Sequence, residues 1–394
     1  MITWMRRNLF RSVTDALLTV VSATILGAVL IQVFQFVFLN GRWEIIQVNL
    51  KILLVGRFPE ELMYLVGLSI LAICFSIASL AGGVEQSSSN SQTLPAKLWG
   101  SFQRFGLLAA TAALLIVLAA DFDAVAFGGY VLVSIVAGTL SGRLRRTTAL
   151  KKLPGLIWVF LNASIPMALI FITIGQAALE EWGGFLINFY LAIVSITLSF
   201  PLGVLLALGR RSSLPLLRWL STTYIELIRG APLFVLLLLA GVALEFFIPA
   251  NIAPDAIIRA ITVFTLFTAA YLAEIIRGGL QSIPKGQEEA GKALGLSTFK
   301  ITFLITLPQA LRNVIPAQIG QFISLFKDTT LAGVALSIFE LLNVGAAITK
   351  QDDYLGLGLI YETLAFVGLL FWVGSYVMSR ESQRIEKKLG VGVR

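Results

Sequence analysis

The 394-residue chain contains no histidine. Ser-His-Asp triads, histidine general bases and histidine-ligated metals are therefore excluded. A single cysteine, Cys74, sits inside an apolar run, so no disulfide can form within the chain, and the residue reads as a small buried hydrophobe. Charge is scarce too: Asp, Glu, Lys and Arg make up 13% of the residues, against about 25% in soluble domains. No Gly-x-x-x-x-Gly-Lys-Ser/Thr phosphate loop occurs, so this chain carries no site of that kind for ATP. Hydrophobic residues fill the space, at 57%. A soluble fold cannot cover that much apolar surface with polar groups, which makes lipid the main solvent. The weaker alternative is a large soluble protein with an unusually apolar core.

The expected fold is all-α and polytopic, with about ten transmembrane helices, since about 20 apolar residues cross the hydrocarbon. The apolar runs lie at approximately 16–39, 62–82, 105–120, 124–140, 155–175, 184–208, 231–249, 256–277, 316–338 and 357–378. The third and fourth are joined only by Asp121-Phe122-Asp123 and suggest a tight helical hairpin. Basic residues concentrate near 6–11, 97–104, 143–152, 210–229, 277–312 and 380–394. The intervening connections carry Asp121, Asp123, Glu180, Glu181, Asp255, Asp352 and Asp353. By the positive-inside rule both termini are cytoplasmic. The same asymmetry explains the net charge of +8 without nucleic acid. The basic N-terminus and its long apolar run suit a retained signal anchor, since the run exceeds a signal-peptide core. Trp43–Arg57 is too short to span and suggests an interfacial helix with Trp43 at headgroup level. Glu85–Gln92 suggests a flexible cytoplasmic loop. No internal repeat has a clear period.

Composition shifts near residue 180. Beyond it, Glu226, Glu245, Glu274, Arg277, Lys327, Asp328, Glu340 and Glu362 lie in or beside apolar runs. Ionisable groups near hydrocarbon are costly and mark function. Two regions follow: a membrane extension over 1–180, holding about five helices, and a working unit over 181–394.

The connection Ser282–Gly295 reads as a short amphipathic helix at 284–295. Ser282 and Pro284 suit its start. Glu288 and Glu289 lie in the first turn, where carboxylates complement the helix dipole. Ala290, Ala293 and Leu294 share one face, and Gly295 suits the C′ position. A small apolar face on an exposed helix fits a helix-in-groove contact; an ordinary loop helix on the membrane surface fits equally well.

Glu289-Ala290-Gly291, then Gly295, then Ile305-Thr306-Leu307-Pro308 resembles the EAA motif of ABC-importer permeases, with Gly291 standing where a second alanine is usual. Tyr224–Pro232, Ala270–Gly279, Pro308–Arg312 and Lys327–Leu331 are similar to segments of the polar amino acid uptake family, of the histidine, glutamine, glutamate and arginine type. The resemblance covers about half the chain, near 184–380. The remaining N-terminal half resembles the long permeases of general L-amino acid systems.

The resemblance implies a type I ABC importer permease with a five-helix core. Such a subunit translocates amino acids from periplasm to cytoplasm by alternating access. It implies no enzyme activity and no cofactor on this chain; ATP and Mg sit on partner subunits. The implied partners are a second homologous permease chain in a heterodimer, two ATP-binding cassette subunits, a periplasmic substrate-binding protein, an amino acid substrate and inner-membrane lipid. Glu288, Glu289, Ala290, Gly291, Ala293, Leu294 and Gly295 would couple to the ATPase. Gln318, Gln321, Ser324, Lys327, Asp328, Thr329, Thr330 and Glu340 supply donors and acceptors for a zwitterion in the pathway, although Lys327 and Asp328 also suit structural pairing. Glu245 and Glu340 lie near outer ends, placed to meet a binding protein or a substrate ammonium. Glu226, Arg229, Glu274 and Arg277 suit structural salt bridges. A secondary ion-coupled transporter and an ABC permease for another small solute are the alternatives; the first leaves residues 282–308 unexplained.

Overall fold

The computed structural model describes residues 8–84, 124–147, 155–249 and 252–389. The expected span at 105–120, the Asp121–Asp123 turn and the Glu85–Gln92 loop fall outside them. Among the described residues the backbone is almost entirely helical. The only β contacts there are two isolated bridges, Gly56 to Trp182 and Gly184 to Glu340.

Helix α1 (Val13–Gln35) starts where the Ser12 hydroxyl accepts the Asp15 N–H at 3.1 Å. It continues as a π turn over Phe36–Asn40. No residue of α1 is buried. Its lower end is tied down by two bonds. Trp43 Nε1 donates to the Val37 carbonyl at 2.9 Å, and the Arg42 N–H donates to Glu362 at 3.1 Å.

The segment expected to lie along the membrane surface does something else. It forms two short helices, α2 (Glu44–Val48) and α3 (Leu50–Val55), broken at Asn49. Ile45 and Leu53 are fully buried, and Ile46, Leu54 and Val55 nearly so. Their apolar side chains join the main protein core rather than facing lipid. That density of isoleucine, leucine and valine suits either solvent; only tertiary contact decides.

Next come α4 (Met63–Val84), α5 (Ala124–Thr147) and α6 (Gly155–Gln176). Helix α4 packs on both of the others. Small residues set the α4–α5 distance: Gly138 lies against the Phe75 carbonyl, and Ser134 donates to Leu71 O at 2.6 Å.

The second half is organised on α7 (Gly184–Arg210) and α11 (Ala256–Gln281), which form the most extensive helix pair. Gly203 faces Leu272 and the Ala269 carbonyl; with Ala270 and Ala273 it lets the backbones approach. Between them in sequence, α8 (Pro215–Gly230) ends at Pro232, and the chain turns by 100° into α9 (Leu233–Leu238). The single span expected at 231–249 is therefore one arm of a broken pair. Proline removes a helical donor and holds the preceding residue extended, as Ala231 is here, at ψ 139°. A π turn over Leu239–Ala243 leads into α10 (Leu244–Phe247). Arg259 Nη1 donates to the Gly241 carbonyl of that turn at 3.0 Å.

After α11 come α12 (Lys285–Ala293), α13 (Thr298–Ile301), a π turn over Thr302–Thr306 and α14 (Leu307–Asn313). The span expected at 316–338 is also interrupted. Helix α15 (Ile315–Asp328) stops, and α16 (Leu331–Leu336) begins after Thr329-Thr330. The two threonine hydroxyls donate to the carbonyls of Phe326 and Lys327, at 2.7 and 2.9 Å, and so compete with the helical ladder. Helix α17 (Leu341–Ile348) and the long α18 (Ile360–Leu389) complete the chain. Phe185, Phe326 and Phe371 meet with centroids 5.0–6.0 Å apart and join α7, α15 and α18. By length and composition, five described helices are apolar enough to cross a membrane, and the bent pair makes a sixth.

Candidate functional site

Helix α12 protrudes at the end of the bundle where α7 finishes. Its N-cap is Pro284, and Glu288 lies in its first turn. Ser282, expected to start it, instead closes α11: its hydroxyl donates to Gly279 O and accepts from Asn313 Nδ2 at 3.1 Å. The C-terminus is a Schellman motif. Leu296 N–H donates to Gly291 O, Gly295 N–H donates to Lys292 O, and Gly295 has φ 73°.

One face of α12 points inward. Gln287 accepts from Gln309 Nε2 of α14 at 2.7 Å, and Arg211 Nη2 donates to Glu288 at 3.4 Å. Gly291 is buried on Ile301; a methyl there would sit 2.9 Å from Ile301 Cγ1. The departure from alanine at 291 thus has a steric partner within the chain. The outward face carries Glu289, Ala290, Ala293 and Leu294, and Leu294 is 79% exposed. This is the apolar face the sequence suggests, bare in the isolated chain.

Just inside lies an ionic network. Glu274 on α11 accepts from Arg277 Nε through both oxygens, at 3.0 and 3.1 Å, and from Arg210 Nη1 at 3.1 Å. Arg229 Nη1 lies 3.8 Å from the same carboxylate, and Arg210 Nη2 reaches Glu226 at 2.7 Å. Glu226, Arg229, Glu274 and Arg277 lie together in this network. Arg210 joins them and links α7 to α8 and α11. In sequence it looked like one more basic residue beyond a span, and nothing local marks it out. With Arg211 next door bonded to Glu288, the network and α12 are anchored by adjacent residues.

The candidates on α15 split between two faces. Gln321, Ser324 and Asp328 follow i, i+3, i+7 spacing and leave a partly exposed polar stripe, with Lys327 exposed beside it. Gln318 is buried and its Nε2 has no partner among the described residues. Thr330 is half-buried and bonds its own helix. Thr329 is fully buried and accepts from Asn188 Nδ2 at 3.1 Å.

Glu340 does not offer an accessible carboxylate. It is fully buried and caps α17, accepting from Leu342 N–H at 2.9 Å, Asn343 N–H at 2.8 Å and Asn188 Nδ2 at 3.2 Å. Asn188 Oδ1 in turn accepts the Leu341 N–H at 3.0 Å. The sequence signal for this node was an asparagine in the first turns of an apolar span, a polar group that must find partners when buried. Glu340→Ala leaves two backbone donors and an amide hydrogen unpaired, at about 1–3 kcal/mol each. The expected result is a fall of roughly 10 °C in the thermal midpoint of the solubilised chain, with partial rescue in Glu340→Gln.

Residues 199–391 match the family model described as binding-protein-dependent transport system inner membrane component. The chain is 40% identical over 237 residues to the glutamate/glutamine/aspartate/asparagine transport system permease protein BztC of Rhodobacter capsulatus, covering 59% of this chain and 54% of that one. It is 40% identical over 222 residues to the inner membrane amino-acid ABC transporter permease protein YhdY of Escherichia coli, covering 56% and 60%. The match thus spans little more than half the length of these two relatives. It is 36% identical over 210 residues to the L-cystine transport system permease protein TcyB of Bacillus subtilis, covering 52% of this chain and 85% of the relative. A crystal structure of an amino acid ABC transporter with histidines aligns over 57% of this chain and 96% of that one, with 26% identity and a TM-score of 0.46. A broken apolar bundle, a protruding α12 and these sequence matches lead to one assignment: the chain belongs to the family of binding-protein-dependent transport system inner-membrane components.

Proposed function

We propose that the chain is the transmembrane permease subunit of an ATP-driven importer that carries amino acids inward by alternating access. The observation that carries this is α12. Its outward face, Glu289, Ala290, Ala293 and Leu294, is exposed, while its inward face is bonded to α7 and α14. A helix fixed on one side and bare on the other suits a groove on a separate ATPase subunit. Two such subunits, with their ATP and Mg, a second homologous permease and a substrate-binding protein would complete the assembly, and both termini would lie in the cytoplasm. The named relatives support the substrate class.

Movement of α12 would pull on Arg211 and hence on the end of α7, next to the network around Glu274. The polar stripe of Gln321, Ser324 and Asp328, with Lys327, would face the pathway between two permease chains, where water and substrate satisfy it. Glu340, Thr329 and Gln318 would hold the fold behind it. An affinity-tagged chain is expected to co-purify with an ATPase and a second permease, with ATP hydrolysis stimulated by the binding protein and an amino acid. Isolation as a lone species that carries out ion-driven uptake would overturn the assignment.

A further inference from the structure

At the opposite end of α7 from α12, some 40 Å away for 27 helical residues, a cavity of about 150 Å³ is lined by Arg57, Glu180, Trp182 and Phe339. It sits where the segment after α3 meets the start of α7, beside the backbone bridge from Gly56 to Trp182. Three features set it apart. Trp182 is 2% exposed, yet its Nε1 has no hydrogen-bond partner among the described residues. Buried indole N–H groups normally find an acceptor. Arg57 and Glu180 both line the cavity, and neither forms an ion pair or side-chain hydrogen bond among the described residues. The Arg57 guanidinium lies over the Phe339 ring, 5.8 Å from its centroid, which holds it at the cavity wall.

We infer that this cavity is a binding site for a small zwitterion, with an anionic oxygen group held by Arg57 and Trp182 Nε1, an ammonium held by Glu180, and Phe339 as the apolar wall. The volume of about 150 Å³ equals about five waters at ~30 Å³ each, which leaves room for the head of an α-amino acid. A phosphate-and-ammonium lipid headgroup offers the same chemistry but is larger. The wall offers one charge of each sign, so a zwitterion can meet both, whereas a simple anion or a simple cation meets only one. The site lies at the far end of α7 from the α12 network, and its existence does not depend on ATP-driven import.

The test uses the full chain in nanodiscs of phosphatidylglycerol, a lipid without an ammonium, and measures equilibrium binding of radiolabelled L-glutamine. Saturable binding is expected, weakened at least tenfold by Arg57→Gln and by Glu180→Gln, and less by Trp182→Phe, which keeps the ring. Acetate and ethylammonium, each carrying one of the two charges, are expected to compete poorly. A parallel arm uses phosphatidylethanolamine nanodiscs. If the headgroup is the occupant, glutamine binding is lost there, and native mass spectrometry retains that lipid on the wild-type chain but not on either variant. Arg57 and Glu180 are exposed, so both variants should fold, and each checks the other. Glutamine binding indifferent to both substitutions with no lipid retained, or no binding of either molecule by the wild-type chain, overturns the inference. Co-purification with an ATPase would survive that failure, so the two proposals fail separately.

Discussion

Gly184→Ala is expected to destabilise the chain severely, lowering its thermal midpoint by 10 °C or more, or preventing recovery of folded protein from membranes. Gly184 has φ 58°, a conformation that costs an L-residue about 1–2 kcal/mol. A methyl there would lie 2.5 Å from the Leu53 carbonyl oxygen and 2.8 Å from that of Ile52. These are backbone atoms at the end of α3, so no rotamer change relieves the overlap. The approach is reciprocal: Gly56 has φ 65°, and a methyl on it would lie 2.5 Å from Gly183 Cα. Gly184 N–H also donates to Phe339 O at 2.9 Å, one residue before the buried Glu340. Displacing Gly184 therefore disturbs α3, the start of α7 and the cap of α17 together. Gly175→Ala, in open space within α6, is the control. It gains helix propensity worth about 1 kcal/mol and should hold or raise the midpoint. An unchanged midpoint in Gly184→Ala would show that the α3–α7 seam is not tight in the working protein.

Glu289→Lys is expected to leave the protein inserted and as stable as the wild type while uptake falls at least tenfold. Glu289 is exposed and has no hydrogen bond or ion pair among the described residues, so its replacement costs little within the chain, within about 0.5 kcal/mol. The effect belongs to the proposed contact with an ATPase. Reversing one partner of a charged interface pair costs about 2–5 kcal/mol, and every 1.4 kcal/mol is a factor of ten. Glu289→Gln should fall between the two. Measured together, midpoint, uptake and recovery of the ATPase on the tagged chain separate lost docking from lost folding. Wild-type uptake in Glu289→Lys would refute the docking role of α12.

Runs of 20 or so apolar residues announced most of the long helices, because hydrocarbon demands a fixed length. The motif at 289–308 announced α12 because caps and turn chemistry are local: Pro284, Glu288 and Gly295 act within a few residues of themselves. Breaks inside spans were harder. Pro232 stood at the start of an expected helix, and only the path of α8 shows that it bends one. Thr329 and Thr330 looked like substrate ligands, and their hydroxyls bond the preceding turn instead. Burial was hardest. Ile45 and Leu53 suit lipid or a protein core equally well by composition, and Glu340 looked available because none of its partners, Asn188 above all, is near it in sequence. Arg210 was invisible as a network member for the same reason: its two carboxylates are 16 and 64 residues away.

Helix α1 buries none of its own residues. Within this chain its side chains answer to length and apolarity alone. Mutations that keep both should accumulate there at little cost to the fold, whereas the glycines at 56 and 184 tolerate almost none. A truncation ending just before Trp43 would remove the Arg42 N–H that the buried Glu362 accepts, so the natural place to shorten the chain or to graft a reporter lies within α1, ahead of that bond.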